Sequence, residues 1–179
     1  MKGVIFKALE ELVIKKLGED AWKQILEKIG YTNVPFYTLV SDVPDDKVLA
    51  AVKVACDVSN LSLQEVADLF GEYWMMEFAP RIYKGYFILS DSARDFLLKM
   101  DWVHSEAVRR MKNAKPPRFT YEWENENTLI MGYNSERNLM DIFIGLVRGV
   151  GKKFGEEMEV ERIDGTNRVR IVFKGKKNS

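Results

Sequence analysis

Along the first two thirds of the chain, apolar residues recur every three or four positions, which is the period of an amphipathic helix. One stripe of the first segment carries Val4, Ile5, Ala8, Leu9, Leu12 and Val13. Gly18 follows this stripe and predicts the end of the first helix. Further helices are predicted over 19–30, 45–60, 62–78 and 91–114.

Short polar motifs mark where these helices begin and end. Ser62 and Glu65 form a capping box at the start of the fourth helix. The fifth helix ends before the pair Pro116 and Pro117, because proline cannot continue a helix. The segment 31–44 and the stretch around Pro80 and Gly85 are predicted to be loops.

From residue 118 the hydrophobic period changes to two, which is typical of strands with one buried face. Apolar and polar residues alternate over 118–124, and the turn "NEN" leads into the second strand, "TLIMGY". Met158 and Val160 then alternate with acidic residues, Asp164-Gly165 predicts a hairpin turn, and alternation returns over 168–174. A helical pattern over 139–155 lies between the second and third strands. The fold class is therefore α+β. We expect a helical front of about residues 1–80 packed on a four-stranded antiparallel back of about 81–179, within a single domain 1–179.

Composition and charge argue against a nucleic-acid-binding protein and against a disulfide-bonded one. The 179 residues include 46% hydrophobic and 30% charged positions, with 27 basic side chains against 27 acidic ones. A balanced charge gives no long-range attraction to nucleic acid, so nucleic acid is not expected as a partner. The single Cys56 excludes an internal disulfide and a CxxC zinc site. With neither a signal peptide nor a membrane span in the pattern, we expect a cytoplasmic protein.

His104 is the only histidine in the chain. It lies on an apolar helical stripe that comprises Ala93, Phe96, Leu97, Met100, Val103, His104, Ala107 and Met111. A core histidine bonded to a backbone carbonyl is one interpretation of this position. No nucleophile motif accompanies His104, so a catalytic role has no support from the sequence. One histidine and one cysteine are also too few ligands for a structural zinc site. Haem iron, by contrast, needs a single axial histidine.

The stretch "GYNSERN" supplies three hydrogen-bond donors spaced by two, Tyr133, Ser135 and Arg137. Residues spaced by two at a strand end point to the same side, and a guanidinium can hold a carboxylate with two parallel bonds. Such a set can hold the propionates of a haem, although the short pattern alone is also common in surface turns.

The start "MKGVIF", the "VH" on a long helix, the following "PPR" and "YNSER" occur in the order of the H-NOX family. The chain resembles this haem nitric oxide/oxygen binding family, related to the sensor domain of soluble guanylate cyclase, from Met1 to about residue 175. The resemblance implies an α+β fold with haem b between its two parts and His104 as the iron ligand. It also implies that Tyr133, Ser135 and Arg137 hold the propionates. The other haem contacts that it implies are Pro117, which would bend the porphyrin, and the packing residues Ile5, Phe78 and Leu146.

Two departures from the family pattern bear on the ligand. Oxygen-binding members place a tyrosine at the position of Ile142, and Trp74 stands where those members have a polar partner for it. The resemblance therefore implies binding of nitric oxide and CO with exclusion of oxygen, although the indole N–H of Trp74 is a donor in principle. The cysteine cluster through which some members bind zinc is absent, so zinc is not expected.

The resemblance also implies a mechanism. Nitric oxide would weaken or break the bond between iron and His104, and the released helix would shift against the sheet. The chain would be a sensor and no enzyme, and would signal in trans to a histidine kinase or a cyclic-di-GMP enzyme. The alternatives are a non-haem interaction module of the same fold with His104 as a core residue, a haem enzyme, and a haem carrier. The tail 173–179 is expected to be a solvated end or part of a docking surface.

Overall fold

The computed structural model describes residues 1–176, so the last three residues of the predicted solvated tail lie outside the described part. Within 1–176, the α-helices are α1 Gly3–Leu17, α2 Glu19–Lys28, α3 Asp45–Ser59, α4 Leu63–Tyr73, α5 Ala79–Ile82, α6 Lys84–Ile88, α7 Ala93–Arg110 and α8 Met140–Phe154. The strands are β1 Arg118–Asn125, β2 Thr128–Asn134, β3 Glu156–Ile163 and β4 Arg168–Lys176. They form one antiparallel sheet in the order β1-β2-β4-β3. The predicted α+β class, with α8 inserted between the second and third strands, is confirmed.

The chain forms two compact units, Met1–Val66 and the part from Ala67 onward. The expectation of a single domain with a boundary near residue 80 stays a prediction. No helix among the described residues is long and apolar enough to cross a membrane.

The first unit contains α1, α2 and α3 around an aromatic centre. Phe6 lies edge-on to Trp22 and to Tyr37, with ring centroids 5.2 and 5.6 Å away. The start of α1 is held by the loop before α3, since Gly3 donates its N–H to the carbonyl of Ser41 at 2.8 Å. A Cβ atom at Gly3 would lie 2.0 Å from the carbonyl oxygen of Thr38, so this approach requires glycine.

The region after α4 differs from the sequence prediction. The capping box is present: the N–H of Ser62 donates to Glu65 at 2.8 Å, and the N–H of Glu65 donates to the hydroxyl of Ser62 at 3.3 Å. The helix then continues as a π-helical turn over Trp74–Phe78. The stretch around Pro80 and Gly85 was expected to be a loop but forms α5 and α6. Proline is tolerated there because it lies in the first turn of α5, where its missing N–H has no helical partner.

The sheet and its two long helices enclose the core of the second unit. The inner strand β2 is buried over residues 128–133, as expected for a strand covered on both faces. The apolar residues of α8 that are buried in this core are Met140, Phe143, Ile144, Val147 and Val150. The N-terminal half of α7 adds Phe96 and Leu97 to the same cluster. Both helices that carry candidate site residues, α7 with His104 and α8 with Ile142 and Leu146, are therefore anchored in the core of the second unit.

Candidate functional site

His104 lies in the C-terminal half of α7 and is half-buried. The apolar stripe predicted for this helix is fully buried at Ala93, Phe96 and Leu97, whereas Met100 and Val103 beside His104 are only partly buried. The imidazole ring lies 5.1 Å from the ring of Phe119 at the start of β1. His104 therefore lies among apolar side chains but remains partly accessible to solvent.

One hydrogen bond determines which nitrogen of His104 carries the proton. Nδ1 lies 3.0 Å from the backbone carbonyl oxygen of Pro117. A carbonyl oxygen accepts hydrogen bonds and cannot donate them, so Nδ1 carries the hydrogen and Nε2 keeps its lone pair. Nε2 has no hydrogen-bond partner among the described residues. Burial lowers the pKa of His104 below its ordinary value, which favours the neutral imidazole that binds a metal ion.

A second set of hydrogen bonds joins the same helix to the same strand. Both carboxylate oxygens of Asp101 accept from Arg118, at 2.8 Å from Nε and 2.6 Å from the terminal nitrogen. Oδ1 also accepts from the backbone N–H of Phe119 at 2.8 Å. We call this set the Asp101 clamp. Arg118 holds the pKa of the Asp101 carboxyl at about 2, chiefly through their hydrogen bonds.

Tyr121 makes a further connection between β1 and α7. Its hydroxyl donates to the carbonyl oxygen of Leu97 at 3.0 Å and accepts the N–H of Asp101 at 3.1 Å. Sequence reasoning assigned no role to Asp101, Arg118 or Tyr121. One signal was available, because Asp101 lies one helical turn before His104 and Arg118 directly follows Pro117.

The predicted propionate-binding residues occupy the end of β2 and the turn after it. Tyr133 is 6% exposed, and its ring stacks on Phe143 at 5.0 Å. Its hydroxyl has no hydrogen-bond partner among residues 1–176. The hydroxyl of Ser135 accepts the N–H of Arg137 at 3.3 Å, and the guanidinium of Arg137 donates to the carbonyl oxygen of Lys115 at 2.6 Å. Ser135 and Arg137 thus lie together, while the convergence of all three donors stays a prediction.

Trp74 and Phe78 lie in the π-helical turn and stack with ring centroids 5.4 Å apart. Phe78 is 1% exposed, whereas Trp74 is only partly buried. The indole N–H of Trp74 has no acceptor among the described residues. A π-helical turn is frequent at functional sites because it alters the direction of the side chains around it.

Ile142 and Leu146 lie four residues apart on α8 and are both partly buried. The adjacent face of this helix approaches α4 closely, since a Cβ atom at Gly145 would lie 2.1 Å from the carbonyl oxygen of Ala67. Gly145 therefore allows α8 to pack closely on α4. Ile5 is partly buried in the first unit, and its predicted contact with haem stays a prediction.

The donor chemistry of the second unit fits a haem. One half-buried imidazole has its Nδ1 proton engaged and its Nε2 lone pair available, and a tyrosine hydroxyl, a serine and an arginine lie on one strand end and the following turn. The described residues contain no group of three or more His, Cys, Asp or Glu side chains that could hold a metal ion by themselves. A single imidazole with a free Nε2 is the protein ligand that haem iron takes, since the porphyrin supplies the other four nitrogens.

The chain is similar to known proteins over most of its length. It is 26% identical over 157 residues to soluble guanylate cyclase gcy-34 and 25% identical over 158 residues to gcy-32, both of Caenorhabditis elegans. These matches cover 85% and 86% of this chain but only 23% of each relative. The chain thus spans about a quarter of the length of these curated relatives.

Solved structures show the same fold. An oxygen-binding H-NOX domain related to soluble guanylate cyclases is 27% identical, with a TM-score of 0.81 and coverage of 100% of this chain and 98% of that one. An H-NOX protein from S. oneidensis in the Fe(II)NO ligation state is 20% identical with a TM-score of 0.86, covering 99% and 100% of the two chains, which supports the fold alone. Residues 2–162 match the haem-NO-binding family. The chain therefore belongs to this family, the H-NOX domains, which are haem-based gas sensors rather than enzymes.

Proposed function

We propose that this chain holds haem b through Nε2 of His104 and senses nitric oxide, with CO as a second ligand and oxygen excluded. The observation that carries the proposal is the hydrogen bond from Nδ1 of His104 to Pro117 at 3.0 Å. A histidine that binds a metal generally donates its other N–H to a carbonyl or carboxylate, which fixes the ring and increases its basicity. His104 has this arrangement, and it is the only histidine of the chain.

The remaining contacts follow from the residues around His104. The Tyr133 hydroxyl, the Ser135 hydroxyl and the Arg137 guanidinium would bind the propionates, with hydrogen bonds to a charged group contributing about 1.5–3 kcal/mol each. Arg137 would keep its bond to Lys115 and use its other N–H groups for the carboxylate, since a guanidinium has five donors. Pro117 would press on the porphyrin from the side of His104.

The selectivity for nitric oxide rests on the side chains of α8 and the π-helical turn. A haem held by His104 would supply the iron to which a diatomic gas binds. Ile142 and Leu146 have no hydrogen-bond donor, so they cannot stabilise the partial negative charge of bound oxygen. Nitric oxide carries less charge and needs such a donor less. Trp74 and Phe78 would complete the apolar wall, with the Trp74 indole stacked on Phe78.

The signal would leave the domain through α7, because this helix carries His104 and is joined to β1 next to the site. A weaker attachment of His104 on nitric oxide binding would let α7 move relative to the sheet. We propose that a histidine kinase or a cyclic-di-GMP enzyme reads this movement in trans in the cytoplasm. A ligand switch of this kind needs a difference in affinity between two conformations of the protein.

Visible absorption spectra of the reduced purified protein test the proposal. We expect a haem band that air leaves unchanged and that nitric oxide shifts. The matched control is His104→Gly, which should lose the spectrum of the histidine-bound form and recover it with added imidazole. A stable oxygen complex would contradict the role of Ile142. A protein without a haem band, even after reconstitution, would contradict the proposal and leave the non-haem interaction module.

A further inference from the structure

The Asp101 clamp is built on the residues that neighbour the proposed iron ligand. Its carboxylate receives three hydrogen bonds of 2.6 to 2.8 Å, and all three come from Arg118 and Phe119. Two of the donors are the parallel N–H groups of one guanidinium, which fix direction as well as distance. The third is a backbone N–H, so the clamp holds the main chain of β1 and not only a side chain.

The clamp and the histidine bond act on the same two segments. Asp101 and His104 are one turn apart on α7, and Pro117 directly precedes Arg118. The main chain at 118–119 is held by Asp101, and the carbonyl of the preceding residue accepts the Nδ1 proton of His104 at 3.0 Å. A peptide bond is planar, so the direction of the Pro117 carbonyl follows the position of the Arg118 N atom. The position of the Arg118 and Phe119 main chain, which Asp101 holds, therefore affects the direction of the carbonyl that accepts from His104.

Stability alone does not account for this arrangement. The side chain of Arg118 is 58% exposed and that of Asp101 is 25% exposed. Solvent screens the charge attraction of the exposed guanidinium, so the ion pair by itself does not explain why the carboxylate also holds the main-chain N–H of Phe119. Tyr121 already joins β1 to α7 one turn earlier, through Leu97 and the N–H of Asp101. The specific effect of the clamp is to place the residues next to His104.

We propose that Asp101 is a positioning residue for the haem ligand: by holding Arg118 and Phe119 it fixes the Pro117 carbonyl that accepts the Nδ1 proton of His104. A strong hydrogen bond from Nδ1 makes Nε2 a better electron donor to iron, and hydrogen bonds to the iron-binding side chain are among the factors that set the reduction potential of haem. The effect on iron rests on the proposed function, whereas the effect on the tautomer of His104 does not.

Two variants and one control test this inference. Asp101→Asn keeps the size of the side chain, but its amide NH2 group cannot accept from the guanidinium. Arg118→Lys keeps the charge and loses the two parallel bonds, and it serves if Asp101→Asn fails to fold. Asp95→Asn is the matched control, because it removes another α7 carboxylate, one that pairs with Lys99 at 2.6 Å two turns before His104.

The first readout is the imidazole 15N NMR spectrum of the full chain without haem, which contains a single histidine. We expect the wild type and Asp95→Asn to show the Nδ1–H tautomer, and Asp101→Asn and Arg118→Lys to show a mixture with the Nε2–H tautomer. The second readout is the haem-loaded chain, where the two clamp variants should lower the iron–histidine stretching frequency and raise the midpoint potential. A wild-type tautomer in both clamp variants would overturn the inference. A wild type that takes up no haem would refute the proposed function instead, while the tautomer would still decide the role of Asp101.

Discussion

One methyl group added at Gly145 should have a clear effect on the packing of α8. Its backbone approaches α4 so closely that an added Cβ atom would lie 2.1 Å from the carbonyl oxygen of Ala67 and 3.0 Å from the amide nitrogen of Asp68. Ordinary contacts of a Cβ atom are 3.4–4 Å. Both neighbours are main-chain atoms, so no side chain can rotate away. Gly145→Ala must therefore separate α8 from α4 by roughly 1 Å.

The magnitude follows from two opposing effects. Forcing extra volume into a packed interface costs about 1–3 kcal/mol, and a clash with main-chain atoms belongs at the upper end of that range. Alanine regains about 1 kcal/mol over glycine inside a helix. We expect Gly145→Ala to lower the free energy of unfolding by about 2 kcal/mol. For a chain of this size that corresponds to a fall in Tm of about 4–8 °C.

Gly85→Ala is the matched control. Gly85 also lies in a helix, and a Cβ atom there would meet no other atom within 4 Å. The same substitution should leave stability unchanged or raise it by up to about 1 kcal/mol. Urea unfolding followed by circular dichroism measures both variants. If Gly145→Ala proves as stable as Gly85→Ala, the close packing of α8 on α4 is wrong.

Three further predictions concern the ligand, the sheet and the first unit. Ile142→Tyr should give the haem-loaded protein an oxygen complex that the wild type lacks, because a tyrosine hydroxyl can donate to bound oxygen. Absorption spectra in air measure this. An unchanged spectrum would contradict the proposed position of Ile142 next to the bound gas. Gly132→Ala would place a Cβ atom 2.3 Å from the side-chain oxygen of Thr120, so it should destabilise the sheet, and Thr120→Ala in the same chain should restore most of the loss in urea unfolding. Burial raises the pKa of Tyr31 to about 12. As the pH rises, the unfolded chain therefore loses the Tyr31 proton before the folded chain does. The free energy of unfolding should for this reason fall between pH 10 and pH 12, and it should fall less in Tyr31→Phe. An equal fall in both proteins would contradict the pKa shift.

The hydrophobic periods of the sequence predict the α+β class, because the periods of 3.6 and 2 reflect which face of each element meets the core. The capping box at Ser62 and the helix end at Gly18 follow from local chemistry in the same way. A residue's immediate neighbours in sequence decide such features. The family resemblance likewise depends on motifs that are short and contiguous, such as "YNSER".

The features next to His104 depend on residues that are distant in sequence. Nothing in the order of residues shows that the Pro117 carbonyl meets Nδ1 of His104, or that Asp101 holds the strand that follows it. These are directional bonds, which form only when helix and strand are brought within about 3 Å at the right angle. The π-helical turn at Trp74 also differs from the sequence prediction, since one extra residue in a turn leaves the apolar pattern nearly unchanged. The short helices α5 and α6 form where Pro80 and Gly85 favour a loop. Sequence alone therefore predicted the long helices, the strands and the candidate haem-binding side chains. The tertiary structure decided where the π-helical turn and the short helices lie, which nitrogen of His104 is available and what holds it in place, because these depend on contacts between residues that are distant in sequence.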